Sequence, residues 1–125
     1  MNAVNTLSYL EFDYSEDEQG IGNWDAMASV GAARVPALAA EIAQVLCWAN
    51  REFAGRQGTI DEGGDWDYDL QSQDDDGQPL PAHFDAEKCQ LELPPAANGY
   101  TTVSLSLAGN AQFGAALQAA FGVMN

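Results

Sequence analysis

From Leu7 to Tyr14 the side chains alternate: Leu10, Phe12 and Tyr14 fall on one side, Tyr9, Glu11 and Asp13 on the other. A period of two predicts a half-buried strand. The polar, glycine-containing stretch from Ser15 to Gly22 predicts a loop. A second strand, about Asn23 to Val30, places Trp24, Ala26, Ala28 and Val30 at alternate positions. Together they read as an antiparallel hairpin with a long acidic connection.

The period then changes. Leu38, Ile42, Val45, Leu46, Ala49 and Phe53 recur three and four residues apart, the stripe of an amphipathic helix. Pro36 suits its first turn and Gly55 its C-terminal stop. Glu41, Gln44, Arg51 and Glu52 fall elsewhere on the cylinder, and Trp48 reads as a boundary residue at the core edge. After a turn at Gly63 and Gly64, the run Asp65-Trp66-Asp67-Tyr68-Asp69-Leu70 predicts a third strand, aromatic side chains inward and aspartates outward.

Gln71 to Pro81, with Asp74, Asp75 and Asp76, reads as an exposed loop. Lys88 to Leu93 reads as a short strand with Cys89, Leu91 and Leu93 inward, ended by Pro94 and Pro95. Asn98-Gly99 supplies turn residues. The clearest alternation follows, from Thr101 to Leu107: Val103, Leu105 and Leu107 inward, Thr102, Ser104 and Ser106 outward. Asn110 is a good N-cap for a second helix striped by Phe113, Leu117, Ala120, Phe121 and Met124. The order β-β-α-β-β-β-α predicts one α+β domain over 1–125, a mainly antiparallel sheet of about five strands with both helices on one face. The expected core is Leu10, Phe12, Trp24, Leu38, Ile42, Leu46, Phe53, Trp66, Tyr68, Leu91, Val103, Leu105, Phe113, Leu117 and Phe121.

Composition changes the picture at the surface. The 125 residues include 4 Lys+Arg and 19 Asp+Glu, a formal charge of −15, yet only 18% are charged. The imbalance therefore owes more to missing cations than to extra carboxylates, given about 25% charged residues in ordinary soluble domains. So few cations argue against direct binding to a phosphate backbone. A chain that is 46% hydrophobic is not a disordered acidic tail. No continuous apolar run approaches a membrane span, and the N-terminus lacks a leader pattern. Cys47 and Cys89, without CxxC spacing, read as reduced small hydrophobes in a cytoplasmic protein.

Candidate chemistry is sparse. His83, near Asp85 and Glu87, is the one histidine and the only handle for a hydrolase-type site. No G-x-S-x-G elbow, zinc-finger spacing or phosphate-cradling glycine motif accompanies it. Asp65, Asp67, Asp69 and Asp76 occupy positions 1, 3, 5 and 12 of an EF-hand-like register. Leu70 stands where that loop needs glycine, so an alternating strand explains the run better than calcium does. No cofactor is implied.

What remains is a surface. With both helices on one sheet face, Glu11, Asp13, Asp65, Asp67 and Asp69 point outward, with Tyr9 as an aromatic anchor beside them. Asp25 joins them when the second strand shares that register. The Ser15–Gly20 and Asp74–Asp76 loops add further carboxylates. In charge balance and size the chain resembles small acidic DNA-mimic and immunity-type proteins, which occupy basic surfaces. That resemblance implies a non-enzymatic module with a basic protein partner, and it transfers no individual residue.

Overall fold

The computed structural model describes residues 7–122. Strands β1 (Asp13–Glu16), β2 (Gly22–Gly31), β3 (Trp66–Gln73), β4 (Pro79–Leu80) and β7 (Tyr100–Gly109) form a sheet in the order β1-β2-β7-β3-β4. Every neighbouring pair is antiparallel. Strands β5 (His83–Asp85) and β6 (Gln90–Glu92) make a separate two-stranded hairpin. Helices α1 (Val35–Glu52) and α2 (Ala111–Phe121) complete an α+β fold with a mainly antiparallel sheet.

Both helices pack on the inner sheet face. Val103, Leu105 and Leu107 of β7, Trp24 of β2 and Trp66 of β3 are buried with Leu38, Ile42 and Leu46 of α1 and Phe113 and Leu117 of α2. The Phe113 ring joins the layers. Its centroid lies 5.7 Å from Trp24, 5.8 Å from Trp48, 5.3 Å from Phe53 and 5.7 Å from Trp66, the last nearly parallel. Offset and edge-on packing of this kind adds about 0.5–1.5 kcal/mol per pair beyond burial. Gly109 makes the approach possible, because a Cβ there would lie 2.3 Å from the Phe113 ring. Asn110 caps α2 as expected, its Oδ1 accepting the Phe113 amide at 2.9 Å.

Several expectations are corrected. Leu7–Phe12 is not strand, and β1 spans only Asp13–Glu16. The reason is Glu41, which lies not on a polar face of α1 but buried, at 9% exposure. Its carboxylate accepts the amides of Ser8, Tyr9 and Leu10, the last two at 2.8 and 2.7 Å. Amides bonded to a carboxylate cannot also serve a ladder. Trp48 is buried rather than at the boundary, its ring contacting Phe53, Phe113 and Phe121. Within Gln71–Pro81 the chain makes a β3–β4 hairpin, because the Asp74 carboxylate organises the turn by accepting the amides of Asp76 and Gln78.

Another correction concerns the cysteines, read from sequence as reduced. Cys47 of α1 and Cys89 form a disulfide, with Cα atoms 5.6 Å apart. Cys89 is not an inward strand residue. It ends the turn between β5 and β6, exposed and at φ +57°. Lys88–Leu93 therefore does not enter the main sheet, because its partner is β5. Phe12, Phe53, Tyr68 and Leu91 pack against the core half-buried, and Met124 lies outside the described residues. Ala32–Glu52 is long and apolar enough to cross a membrane by length and composition, and 56% of its most apolar 18-residue window is buried within the fold. A core helix meets that criterion too.

Two substitutions probe these anchors. Glu41→Gln should destabilise the fold by roughly 1.5–3 kcal/mol in a denaturant titration, since hydrogen bonds to a charged acceptor are lost. Hydrogen exchange at Ser8–Leu10 should rise with it. Gly109→Ala should cost about 1–3 kcal/mol by overpacking against Phe113, measured as a lower Tm.

Candidate functional site

Strand alternation sends Asn23, Asp25, Met27 and Ser29 of β2, Thr102, Ser104 and Ser106 of β7, and Asp67, Asp69, Gln71 and Gln73 of β3 to the face opposite the helices. The registers align them in rows. Asp13 faces Asp25, Asp25 faces Ser106, and Ser106 faces Asp69. One row thus carries three carboxylates and a hydroxyl across four strands. The row on one side holds Ser15, Asn23, Ala108 and Asp67, and that on the other Met27, Ser104 and Gln71.

Directly opposed like charges such as Asp13 and Asp25 destabilise a sheet by a few tenths of a kcal/mol or more. Local bonds offset part of this. Ser106 Oγ donates to Asp25 at 2.7 Å, and Gln71 Nε2 donates to Asp69 at 3.1 Å. Asp67 accepts the amide of Tyr68 at 2.9 Å and Gln57 Nε2 at 3.2 Å. Asp25 and Asp69 lie two strand spacings apart, about 10 Å.

Two shallow hollows open on this face. Glu11, Asp13, Asp25, Met27, Ser104 and Ser106 line one of about 500 Å³. Leu70, Gln71, Leu80, Ala82, Thr102 and Ser104 are among those lining the other, of about 400 Å³. Ser104 of β7 borders both. Met27, 67% exposed, rises beside the acidic hollow, and Tyr100, 57% exposed, stands toward the far end of β7.

The expected site residues divide. Glu11, Asp13, Asp67 and Asp69 lie on this surface, and Asp25 joins them. Tyr9, expected as an aromatic anchor, packs half-buried against the core with its amide on Glu41. Asp65 precedes β3 and closes a corner instead. Its carboxylate receives Arg56 Nε at 2.8 Å and Nη2 at 2.9 Å, while its carbonyl accepts the Asn110 amide. Met27 was missed because an exposed methionine within an alternating strand has no signal of its own.

The other candidate chemistries are dispersed. Among the described residues no group of three His, Cys, Asp or Glu side chains could hold a metal ion. The calcium register fails because Asp65 turns to Arg56 while Asp67 and Asp69 stand on the outer sheet face. His83 is exposed on β5 opposite Glu92. Asp85 accepts the amides of Glu87 and Lys88, and Cys89 is bonded to Cys47.

Several loop carboxylates are likewise occupied with the backbone. Asp17 accepts the amides of Gln19 and Ile21, and Asp75 accepts that of Tyr100. Partial burial raises the Tyr68 phenol above its ordinary value, and the charge of Asp67 adds to this. No known protein family, characterised protein or solved structure is significantly similar to this chain.

Asp65 generates a pH prediction. The hydrogen bond from Arg56 holds its carboxyl below the usual range, against a smaller opposing effect of burial, and the guanidinium charge contributes further. A depressed folded pKa stabilises above the unfolded value of about 3.9 and stops doing so as pH falls through the folded value. The stability difference between the native protein and Asp65→Asn should therefore be constant near neutrality, shrink below about pH 4 and vanish in stronger acid. Urea titrations across that range measure it.

Proposed function

We propose that this protein is a non-enzymatic interaction module whose outer sheet face engages a basic protein partner. The observation that carries the reading is the row Asp13–Asp25–Ser106–Asp69, on the face away from both helices and with Met27 beside it. The carboxylates offer acceptors to lysine and arginine side chains, which would speed encounter and select the partner. Methionine is flexible and polarizable, suited to packing against an apolar side chain at the centre of such a contact. Asp67 and Glu11 flank the row and extend its negative field. The chain's −15 charge favours the same class of partner and repels phosphate backbones.

The test compares the native protein with Asp25→Lys/Asp69→Lys as immobilised bait in host lysate. Both side chains point outward, so circular dichroism should be unchanged. Basic proteins retained by the native bait at about 0.1 M salt should be lost at about 1 M, where screening shortens to ~3 Å. The double reversal should slow their association roughly 10-fold or more. Equal retention by both baits at both salt concentrations overturns the reading.

A further inference from the structure

We propose that the Cys47–Cys89 disulfide is a thiol–disulfide exchange site, and that its reduction by a dithiol releases the β5–β6 hairpin from α1 while the five-stranded sheet stays folded. The hairpin has three residues in each strand, and its strands pair only with one another. An isolated two-stranded hairpin is marginal in water. Its position therefore depends on what fastens it. Phe84 meets the Tyr68 ring edge-on at 6.3 Å, Leu91 is half-buried and Leu93 is buried. The disulfide is the covalent fastening, from the turn to a helix 42 residues away in sequence.

The two ends of that bond differ. Cys47 is 5% exposed within α1, whereas Cys89 is exposed at the end of the turn. An incoming thiolate therefore has access from the Cys89 side. Cys89 also holds a left-handed backbone conformation, unfavourable for a residue with a Cβ. Asp85 braces the same turn by accepting the Glu87 and Lys88 amides. Loss of the bond to Cys47 frees Cys89 to leave that conformation.

The exchange runs in two steps. One thiolate of the dithiol attacks Cys89 Sγ, the protein S–S bond breaks, and Cys47 leaves as a thiolate that takes up a proton. The reductant's second thiolate then attacks its own sulfur in the mixed disulfide, and Cys89 departs as the second thiol. The protein disulfide gains two electrons and the dithiol becomes a disulfide. A reducing environment holds the open hairpin and an oxidising one the closed form.

The acidic row shares none of these residues, so the inference stands or falls independently of the partner reading. The test treats the native protein with dithiothreitol without denaturant. Alkylation with mass spectrometry then counts thiols, and hydrogen exchange maps opening. Two new thiols should appear, with exchange across residues 83–92 roughly tenfold faster or more and unchanged protection in β2 and β7. Cys89→Ser should show the same fast hairpin without reductant. A bond reduced only after denaturation, a hairpin equally protected when reduced, or unfolding of the sheet on reduction each overturns it. Purification under non-reducing conditions with two free thiols overturns it as well.

Discussion

Strand β7 is the constraint on which the rest depends. Its neighbours β2 and β3 are bonded to it along most of its length, and its alternation decides what lies on each side of the sheet. A side-chain period of two means that a one-residue slip would bring Ser104 and Ser106 into the core and carry Leu105 and Leu107 to solvent. Burial of Val103, Leu105 and Leu107 opposes that slip, each large apolar side chain contributing roughly 1.5–3 kcal/mol. The same register sets Asp25 and Asp69 on either side of Ser106. Core packing and the surface charge pattern are thus two consequences of one pairing.

The helices reinforce that choice from one side only. Phe113 gathers aromatic rings from both flanking strands and from α1 onto the inner face. Neither helix covers the outer face, which must be polar enough to meet water yet is free to differ in detail. Neutral Thr102 and Ser104 would have sufficed for solvation along the whole sheet. The face instead concentrates charge in the rows through Asp67, Asp25 and Asp69, and leaves Met27 beside them. That uneven distribution supports a contact surface more than uniform solvation would.

Net charge alone overstates how much acid is available to a partner. Glu41 binds three backbone amides, Asp17, Asp74 and Asp85 organise turns, Asp75 accepts the distant Tyr100 amide and Asp65 is paired with Arg56. Short carboxylate side chains readily take such positions, because turns leave amides that a ladder would otherwise satisfy. Glu11, Asp13, Asp25, Asp67 and Asp69 on the sheet face are not among these carboxylates.

Local pattern determined much of this protein. The alternations at Trp24–Val30, Trp66–Leu70 and Val103–Leu107 were sufficient for β2, β3 and β7, and with them for the outward placement of Asp67 and Asp69. The stripe from Leu38 to Phe53 and the cap at Asn110 were sufficient for the helices. Tertiary structure alone decided the rest, since each missed feature depends on groups distant in sequence. Glu41 looks like any surface glutamate until the amides of Ser8–Leu10 arrive from about thirty residues away. Their arrival packs Tyr9 half-buried against the core. Arg56 draws Asp65 out of the acidic alternation, and Cys47 captures Cys89 from an apparent strand. Periodicity records which side of an element a residue occupies, whereas these bonds depend on which other element is brought against it.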